Sequence, residues 1–183
     1  MSQMGHSGTL RARKAILPDV GAIHALIEEY AKDNVLLPRT LLELSENVRD
    51  FIVVEDENGA IIGCGALHIY GLHLTEVRSI AVHPSAKGRG AGRLLVETLL
   101  EEARLHQISC VCLFTRTPGF FGHLGFKVAQ REQLPDKIYK DCVTCPNLNN
   151  CDEVAMVIGE IPQTSVYKDA GIRIPLIQIE KTA

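Results

Sequence analysis

A strand, a glycine-rich turn and a helix follow one another over residues 77–106, and this succession constrains the fold more than any other part of the chain. The apolar run that ends at Val82 predicts a strand, and the spacing of Leu95, Leu99 and Ala103 predicts an amphipathic helix. Between them lie the glycines Gly88, Gly90 and Gly92 and the cations Lys87, Arg89 and Arg93. Glycine reaches backbone conformations that other residues avoid, and amide N–H groups at a helix start attract anions. The turn therefore predicts a phosphate site.

Two common phosphate-binding motifs do not match this turn. A P-loop carries Ser or Thr after Gly-Lys, whereas Gly92 is followed by Arg93 and Leu94. A dinucleotide fingerprint needs a third glycine three positions after the second, and the two available counts end at Arg93 and Leu95. A flexible turn before an ordinary helix stays open as the simplest alternative.

The spacing Lys87-x-x-Gly90-x-Gly92 resembles the pyrophosphate-binding motif (Arg or Gln)-x-x-Gly-x-(Gly or Ala) of the GCN5-related N-acetyltransferases, with lysine at the first position. A second motif, from Phe120 to Phe126, follows at the distance typical of that superfamily. The resemblance covers residues 10–158. It implies an α/β, single-domain GNAT fold in which a mixed, mostly antiparallel central sheet is flanked by helices. It also implies acetyl-CoA as the acyl donor.

Length and composition agree with one domain. The 183 residues are 46% hydrophobic, enough for one core and too few for two ordinary domains. We expect a polar tail over 1–9, the acetyltransferase domain over 10–160 and a C-terminal extension over 161–183, with an edge strand at 172–179. The net charge of −3 argues against a nucleic-acid partner. Neither a bilayer-spanning run nor a secretory signal is evident, so we expect a cytoplasmic protein without a membrane partner.

Hydrophobic periodicity and turn signals predict the other elements. Strands are expected at 10–15, 51–55, 60–70, 76–82, 110–115 and 153–158, and helices at 20–30, 41–48, 94–106 and 118–124. Asp19 is expected to cap the first helix, and Thr40 the second. This order of elements is typical of a mixed α/β sheet.

The resemblance further implies which residues contact acetyl-CoA. They are Ile80, Ala81, Val82, Lys87, Gly88, Arg89, Gly90, Ala91, Gly92, Arg93 and Phe121. The strand that contains the first three would align backbone N–H groups with the pantetheine and the thioester carbonyl, where they stabilise the developing oxyanion. The turn would hold the pyrophosphate.

Proton transfer is expected to involve few side chains. Glu76 resembles the superfamily's frequent general base and would deprotonate the amine through water, with two nearby histidines, His68 and His73, as alternative bases. An ordinary solvated or ion-paired strand glutamate stays open as the simpler interpretation of Glu76. Phe121 stands where these enzymes often have a tyrosine that protonates the leaving thiolate. Because phenylalanine transfers no proton, water, Tyr70 or Tyr139 must serve instead.

Four segments carry a narrower resemblance, to the short, stand-alone N-acetylglutamate synthase type: 36–39, 63–68, 76–82 and 141–146. The implied acceptor is the α-amino group of L-glutamate, in arginine biosynthesis. Its two carboxylates require cations, for which the candidates are Arg39, Arg78 and Arg116. Another small amine, a protein N-terminus or a non-catalytic acyl-CoA-binding sensor stay open as alternatives. The oligomeric state is open too, with a homodimer among the options.

Six cysteines fall into two groups. The first, Cys64, Cys110 and Cys112, lies in apolar runs, which favours buried thiols. The second, Cys142, Cys145 and Cys151, has a spacing that resembles part of a zinc or iron–sulfur site, although a fourth local ligand is missing. A disulfide in this loop and free thiols are the alternatives.

Overall fold

The computed structural model describes residues 9–163, which form two compact units. The first runs to His68 and resumes over Val77–Leu105, and the second comprises Ile69–Glu76 and the described residues from His106 onward. The strands are β1 (Arg11–Lys14), β2 (Phe51–Glu55), β3 (Ile61–Ile69), β4 (Leu74–Val82), β5 (Cys110–Thr115), β6 (Lys127–Val128) and β7 (Val154–Gly159). The helices are α1 (Val20–Ala31), α2 (Leu41–Glu46), α3 (Ala91–Leu105), α4 (Pro118–Gly122) and α5 (Pro135–Lys140).

The strands form a mixed sheet in the order β1-β2-β3-β4-β5-β7-β6. Strand β4 begins in the second unit and ends in the first. It pairs with β5 in parallel, whereas the pairs β1/β2, β2/β3, β5/β7 and β6/β7 are antiparallel. The predicted fold class, a mixed sheet with flanking helices, is therefore confirmed.

In the first unit, the apolar faces of the helices are buried as their sequence periodicity predicts. Helix α3 packs against β1 and β2, and α1 packs against α2. The side chains Ile23, Ile27, Leu44, Val53, Leu95 and Leu99 are each at most 2% exposed. Burial of each such side chain contributes about 1.5–3 kcal/mol, so this core holds the glycine turn on a rigid support.

In the second unit, β5 is the central strand and is buried on both faces. Its residues Cys110–Leu113 are at most 5% exposed, as expected of a continuous apolar run paired on both sides. Leu134, which is fully buried with Cys110 and Cys112, anchors the chain just before α5. The prediction that Cys64, Cys110 and Cys112 are buried thiols is confirmed.

Several local predictions can be compared with the structure. Thr40 caps α2 as expected, because its Oγ1 accepts a hydrogen bond from the Glu43 N–H at 3.1 Å. The Asp19 cap is wrong, because its carboxylate accepts from the Arg13 guanidinium at 2.6 and 3.0 Å and from the Ile16 N–H at 2.8 Å. Asp19 thus stabilises the turn before α1 and ties it to β1.

Two elements were not predicted. Strand β6 has two residues, too few for any periodicity to appear. Helix α5 has six residues, and it follows a polar stretch rich in charge. The edge strand predicted at 172–179 lies outside the described residues. Within 9–163, no helix combines the length and the apolar character that crossing a membrane requires.

Candidate active site

The glycine turn adopts a conformation that only glycine reaches easily. Gly88 has φ +78° and Gly90 has φ +88°, and α3 begins at the next residue, Ala91. An L-residue in the left-handed region costs about 1–2 kcal/mol, so glycine is favoured at both positions. Gly92 differs from them, because it lies inside the first turn of α3, where its small size rather than its φ leaves the backbone accessible.

The backbone amides of this turn divide into two sets. The N–H groups of Lys87 and Arg89 donate to the carbonyls of Pro84 and Ala86 at 3.2 Å and thereby close the turn. Those of Ala91, Gly92 and Arg93 belong to the first turn of α3, where N–H groups have no partner within the helix. They lie at the positive end of the helix dipole, which favours an anion. Lys87 can therefore offer an anion its charge, and the start of α3 can offer hydrogen-bond donors.

The three cations of the turn are not equivalent. Arg89 pairs with Glu57 at 3.1 Å, and Arg93 pairs with Glu97 at 2.7 Å, both on the surface. The Lys87 ammonium instead lies over the Tyr30 ring, 5.6 Å from its centroid. The same tyrosine donates its hydroxyl proton to the Val82 carbonyl at 2.5 Å, which holds the end of β4 beside the turn.

Strand β4 is interrupted at Ser79, whose φ is +54°. Alternation of side chains requires extended backbone at every residue, so the period of two does not continue through this position. Simple alternation therefore does not place Ile80 on the same face of β4 as Arg78. A serine in the left-handed region is uncommon, and such strained residues cluster at functional sites.

The cofactor contacts predicted on β4 differ in exposure. Ala81 is 1% exposed and belongs to the core of the first unit, so only its backbone can meet a ligand. Ile80 lies directly over Gly65, where a Cβ atom would come within 2.4 Å of the Ile80 Cδ1. A glycine on β3 thus makes room for the Ile80 side chain.

Glu76 lies in a buried polar network of the second unit. Its Oε2 accepts from the Tyr70 hydroxyl at 2.7 Å and from the Lys137 ammonium at 3.1 Å, and its Oε1 lies 2.9 Å from the same ammonium. Asp141 completes the network, because its Oδ2 is also hydrogen-bonded to the Tyr70 hydroxyl oxygen and accepts from Lys137 at 3.1 Å. The Glu76 side chain is 3% exposed, and the Asp141 side chain 29%.

The environment fixes the protonation of two members of this network. Burial raises the pKa of Tyr70, and the carboxylates of Glu76 and Asp141 raise it further, so the phenol stays neutral at physiological pH. Burial alone would lower the pKa of Lys137, but the same two carboxylates outweigh burial and raise it above its usual value. Lys137 therefore remains a cation.

The three candidate arginines have different surroundings. In the first unit, the Glu43 pKa is lowered chiefly by the Thr40 N–H hydrogen bond, and Arg39 and Arg78 lower it further by their charge. In the second unit, Arg116 makes an ion pair with Asp152 at 2.7 Å.

Phe121 is buried and makes edge-to-face contacts with Phe120 and Phe126.

The loop cysteines, Cys142, Cys145 and Cys151, are free thiols. The Cys151 Sγ accepts from the Arg131 guanidinium at 2.8 Å. Within residues 9–163, no group of three His, Cys, Asp or Glu side chains is arranged to hold a metal ion, so the structure does not support a zinc or iron–sulfur site in this loop.

The polar network around Glu76 was not predicted from sequence, apart from Glu76 itself. Two signals were present. Pro135 stands at a position that favours a helix start, and Lys137 and Asp141 are four residues apart, as in helical ion pairs. Neither signal says that the pair faces Glu76, which lies 61 residues earlier in the chain.

Comparison with known proteins identifies the class. Residues 47–128 match the family described as acetyltransferase (GNAT) domain. The chain is 39% identical over 145 residues to the uncharacterized N-acetyltransferase CT2212 of Chlorobaculum tepidum, which covers 79% of this chain and 93% of that protein. The chain therefore belongs to the GCN5-related N-acetyltransferase family and is an acetyl-CoA-dependent acyltransferase.

Two further relatives have names that specify the acceptor more closely. The chain is 40% identical over 131 residues to an amino-acid acetyltransferase of Mycobacterium tuberculosis, covering 70% of this chain and 75% of that protein. The N-acetylglutamate synthase of Neisseria gonorrhoeae, solved with coenzyme A and N-acetyl-glutamate, has a TM-score of 0.75 and 27% identity. That match covers 82% of this chain but only 35% of the synthase.

Proposed function

We propose that this protein transfers the acetyl group of acetyl-CoA to the α-amino group of L-glutamate. The assignment of acetyl-CoA as the donor rests on the turn in which Gly88 and Gly90, both at positive φ, lead directly into α3. That geometry presents backbone N–H donors and the helix dipole to an anion such as the pyrophosphate of coenzyme A. The assignment of glutamate as the acceptor is supported by the amino-acid acetyltransferase and N-acetylglutamate synthase relatives.

The reaction needs few protein groups, because a thioester is already activated. The amine nitrogen attacks the thioester carbonyl, the C–N bond forms, the C–S bond breaks, and the CoA thiolate leaves. The amine must first lose a proton, which we assign to Glu76 acting through one water, because Tyr70 and Lys137 hold its carboxylate in one position, as a general base requires. Phe121 donates no proton, so the second amine proton, which leaves the nitrogen as the tetrahedral intermediate collapses, reaches the departing thiolate through water and gives the CoA thiol.

Recognition of glutamate requires cations for its two carboxylates. Arg39 and Arg78 suit this role, because both belong to the first unit, as does the turn that we assign to the donor. Arg116 also has the required fork geometry, but a substrate carboxylate would have to compete with Asp152 for it. We therefore rank Arg39 and Arg78 above Arg116.

A panel of amines tests the proposal. Purified protein is incubated with acetyl-CoA and each of the common amino acids, a polyamine or a peptide N-terminus, and release of CoA thiol is followed. Glutamate should give the highest kcat/KM. Faster turnover of another amine would replace the acceptor, and binding of CoA without turnover of any amine would favour a non-catalytic sensor.

The variant Glu76→Gln tests the base. Loss of a positioned base costs about 100-fold or more, so kcat should fall by about 100-fold while the affinity for acetyl-CoA stays the same. Glu132→Gln is the matched control, because Glu132 is exposed on a separate turn of the same unit. An unchanged kcat in Glu76→Gln would remove Glu76 as the base.

The variants Arg39→Met, Arg78→Met and Arg116→Met test the ranking of the arginines. A lost charge-assisted hydrogen bond costs about 1.5–3 kcal/mol, so Arg39→Met and Arg78→Met should each raise KM for glutamate by about 10- to 100-fold. Arg116→Met should have a smaller effect. Steady-state kinetics over a range of glutamate concentrations measures this, and a dominant effect of Arg116→Met would reverse the ranking.

A further inference from the structure

Each acetyl transfer releases one proton, and a buried base must return that proton to solvent before the next turnover. The further inference rests on the proposed role of Glu76. Its side chain is 3% exposed, so it has little direct contact with bulk water. The network that surrounds it contains one group that is better placed to reach solvent, the carboxylate of Asp141, whose side chain is 29% exposed.

Tyr70 connects the two carboxylates. Its hydroxyl oxygen lies 2.7 Å from the Glu76 Oε2 and is also hydrogen-bonded to the Asp141 Oδ2. A phenol has a single hydroxyl proton, so it can donate to one of these oxygens at a time. The second contact is a hydrogen bond only when the other carboxyl group carries a proton and donates to the tyrosine oxygen. The geometry is therefore suited to a state in which Glu76 is protonated and Tyr70 donates to Asp141.

We propose that Tyr70 and Asp141 form a proton relay that discharges Glu76. Protonated Glu76 gives its proton from Oε2 to the Tyr70 oxygen while Tyr70 gives its own proton to the Asp141 Oδ2. The phenol is neutral before and after the transfer. Asp141 then releases the proton to water, and Glu76 is again a carboxylate.

The other groups around Glu76 are less suited to carry the proton. Lys137 contacts both carboxylates and remains a cation, so it holds their positions without exchanging its proton in the cycle. Cys112 lies opposite Glu76 on β5, and burial raises its thiol pKa well above the usual value. Burial likewise raises the pKa of Cys142 to about 11. Both thiols stay protonated at neutral pH and offer no base for the relay.

Rapid-quench kinetics on Tyr70→Phe tests the relay, with the amine that the panel shows to be the best acceptor. Phenylalanine keeps the ring but cannot pass a proton, so the first turnover should stay close to wild type and later turnovers should slow by about 10-fold or more. Small buffer bases should restore the steady-state rate in a concentration-dependent way. Asp141→Asn should behave alike, and Asp33→Asn, an exposed residue of the first unit, is the matched control.

The outcomes separate the relay from the base. If first and later turnovers fall equally in Tyr70→Phe and buffer restores neither, Tyr70 only positions Glu76 and the relay is wrong. If Glu76→Gln is impaired while Tyr70→Phe and Asp141→Asn match wild type, the relay fails and the base stands. If Glu76→Gln matches wild type, the base itself fails.

Proton NMR gives a readout that needs no turnover. The Tyr70 hydroxyl proton is held between two carboxylates, so it should give a slowly exchanging resonance in the wild type that disappears in Tyr70→Phe, shifts in Asp141→Asn and stays unchanged in Asp33→Asn. Absence of this resonance from the wild-type protein would overturn the hydrogen-bonded path on which the relay depends.

Discussion

The variant Gly90→Asp is expected to lose about 1,000-fold in affinity for acetyl-CoA. A unit charge placed about 4 Å from a phosphate oxygen, at an effective dielectric constant of about 20, costs about 4 kcal/mol, and about 1.4 kcal/mol is tenfold in binding. Gly90 has φ +88° and stands immediately before α3, so a side chain there is held next to the helix N-terminus that we assign to the pyrophosphate. Isothermal calorimetry with acetyl-CoA measures the loss.

The control Gly90→Asn separates charge from shape. Asparagine has nearly the size of aspartate and tolerates the left-handed region better than most residues. No atom lies within 4 Å of a Cβ built at Gly90, so the asparagine side chain has space. Gly90→Asn should therefore keep most of the affinity. Equal losses in the two variants would attribute the effect to backbone strain, and unchanged affinity in Gly90→Asp would refute the turn as the pyrophosphate site.

The variant Gly159→Ala is expected to lose about 3–5 kcal/mol of unfolding free energy, from left-handed strain together with overpacking. Gly159 ends β7 with φ +93°, and a Cβ there would lie 2.0 Å from the Ser109 carbonyl oxygen. That oxygen already accepts the Glu160 N–H at 3.0 Å, so relief of the clash breaks a backbone hydrogen bond. Urea denaturation followed by circular dichroism measures the change.

Substitutions at two other glycines separate the contribution of left-handed strain from that of overpacking. Gly59 has φ +79° with no atom within 4 Å of a built Cβ, so Gly59→Ala should cost only the strain, about 1–2 kcal/mol. Gly21 lies inside α1 with equally open surroundings, and Gly21→Ala should stabilise the protein by about 0.5–1 kcal/mol. If Gly159→Ala loses no more unfolding free energy than Gly59→Ala, the backbone near Ser109 moves enough to relieve the clash.

Most helices and strands could be predicted because their signals are local. The apolar spacing of α3 and the continuous run of β5 each lie within one short segment. Where an element's start depends on a single dihedral angle, prediction was less exact: α3 begins at Ala91 rather than near 94, because Gly90 is the last residue of the turn at positive φ. Asp19 failed as a cap because Arg13, on another element, binds its carboxylate more strongly than a helix N–H would.

In the candidate site, too, local features could be predicted from the sequence and contacts between distant segments could not. The donor turn is one contiguous stretch of glycines in fixed spacing, so a phosphate site could be predicted from those residues, and the family resemblance implied coenzyme A as its ligand. The surroundings of Glu76 could not, because Tyr70 and Lys137 reach it from two separate segments and Asp141, four residues after Lys137, joins them through both. In the cysteine loop, a local pattern misled the prediction. The spacing of its cysteines is typical of metal ligands, but the described thiols do not gather around one point.

The sequence by itself determined the class of this protein, because the glycine turn and the Phe120–Phe126 motif are short local patterns that resemble those of the GCN5-related N-acetyltransferases, the family to which the chain belongs. Only the tertiary structure decided which charges face one another. It showed that Glu76 is held by Lys137 and Tyr70, that Ser79 breaks the alternation of β4, and that Arg116 already has Asp152 as a partner. Those contacts join residues distant in the chain, and they exist only after the core has brought their elements together.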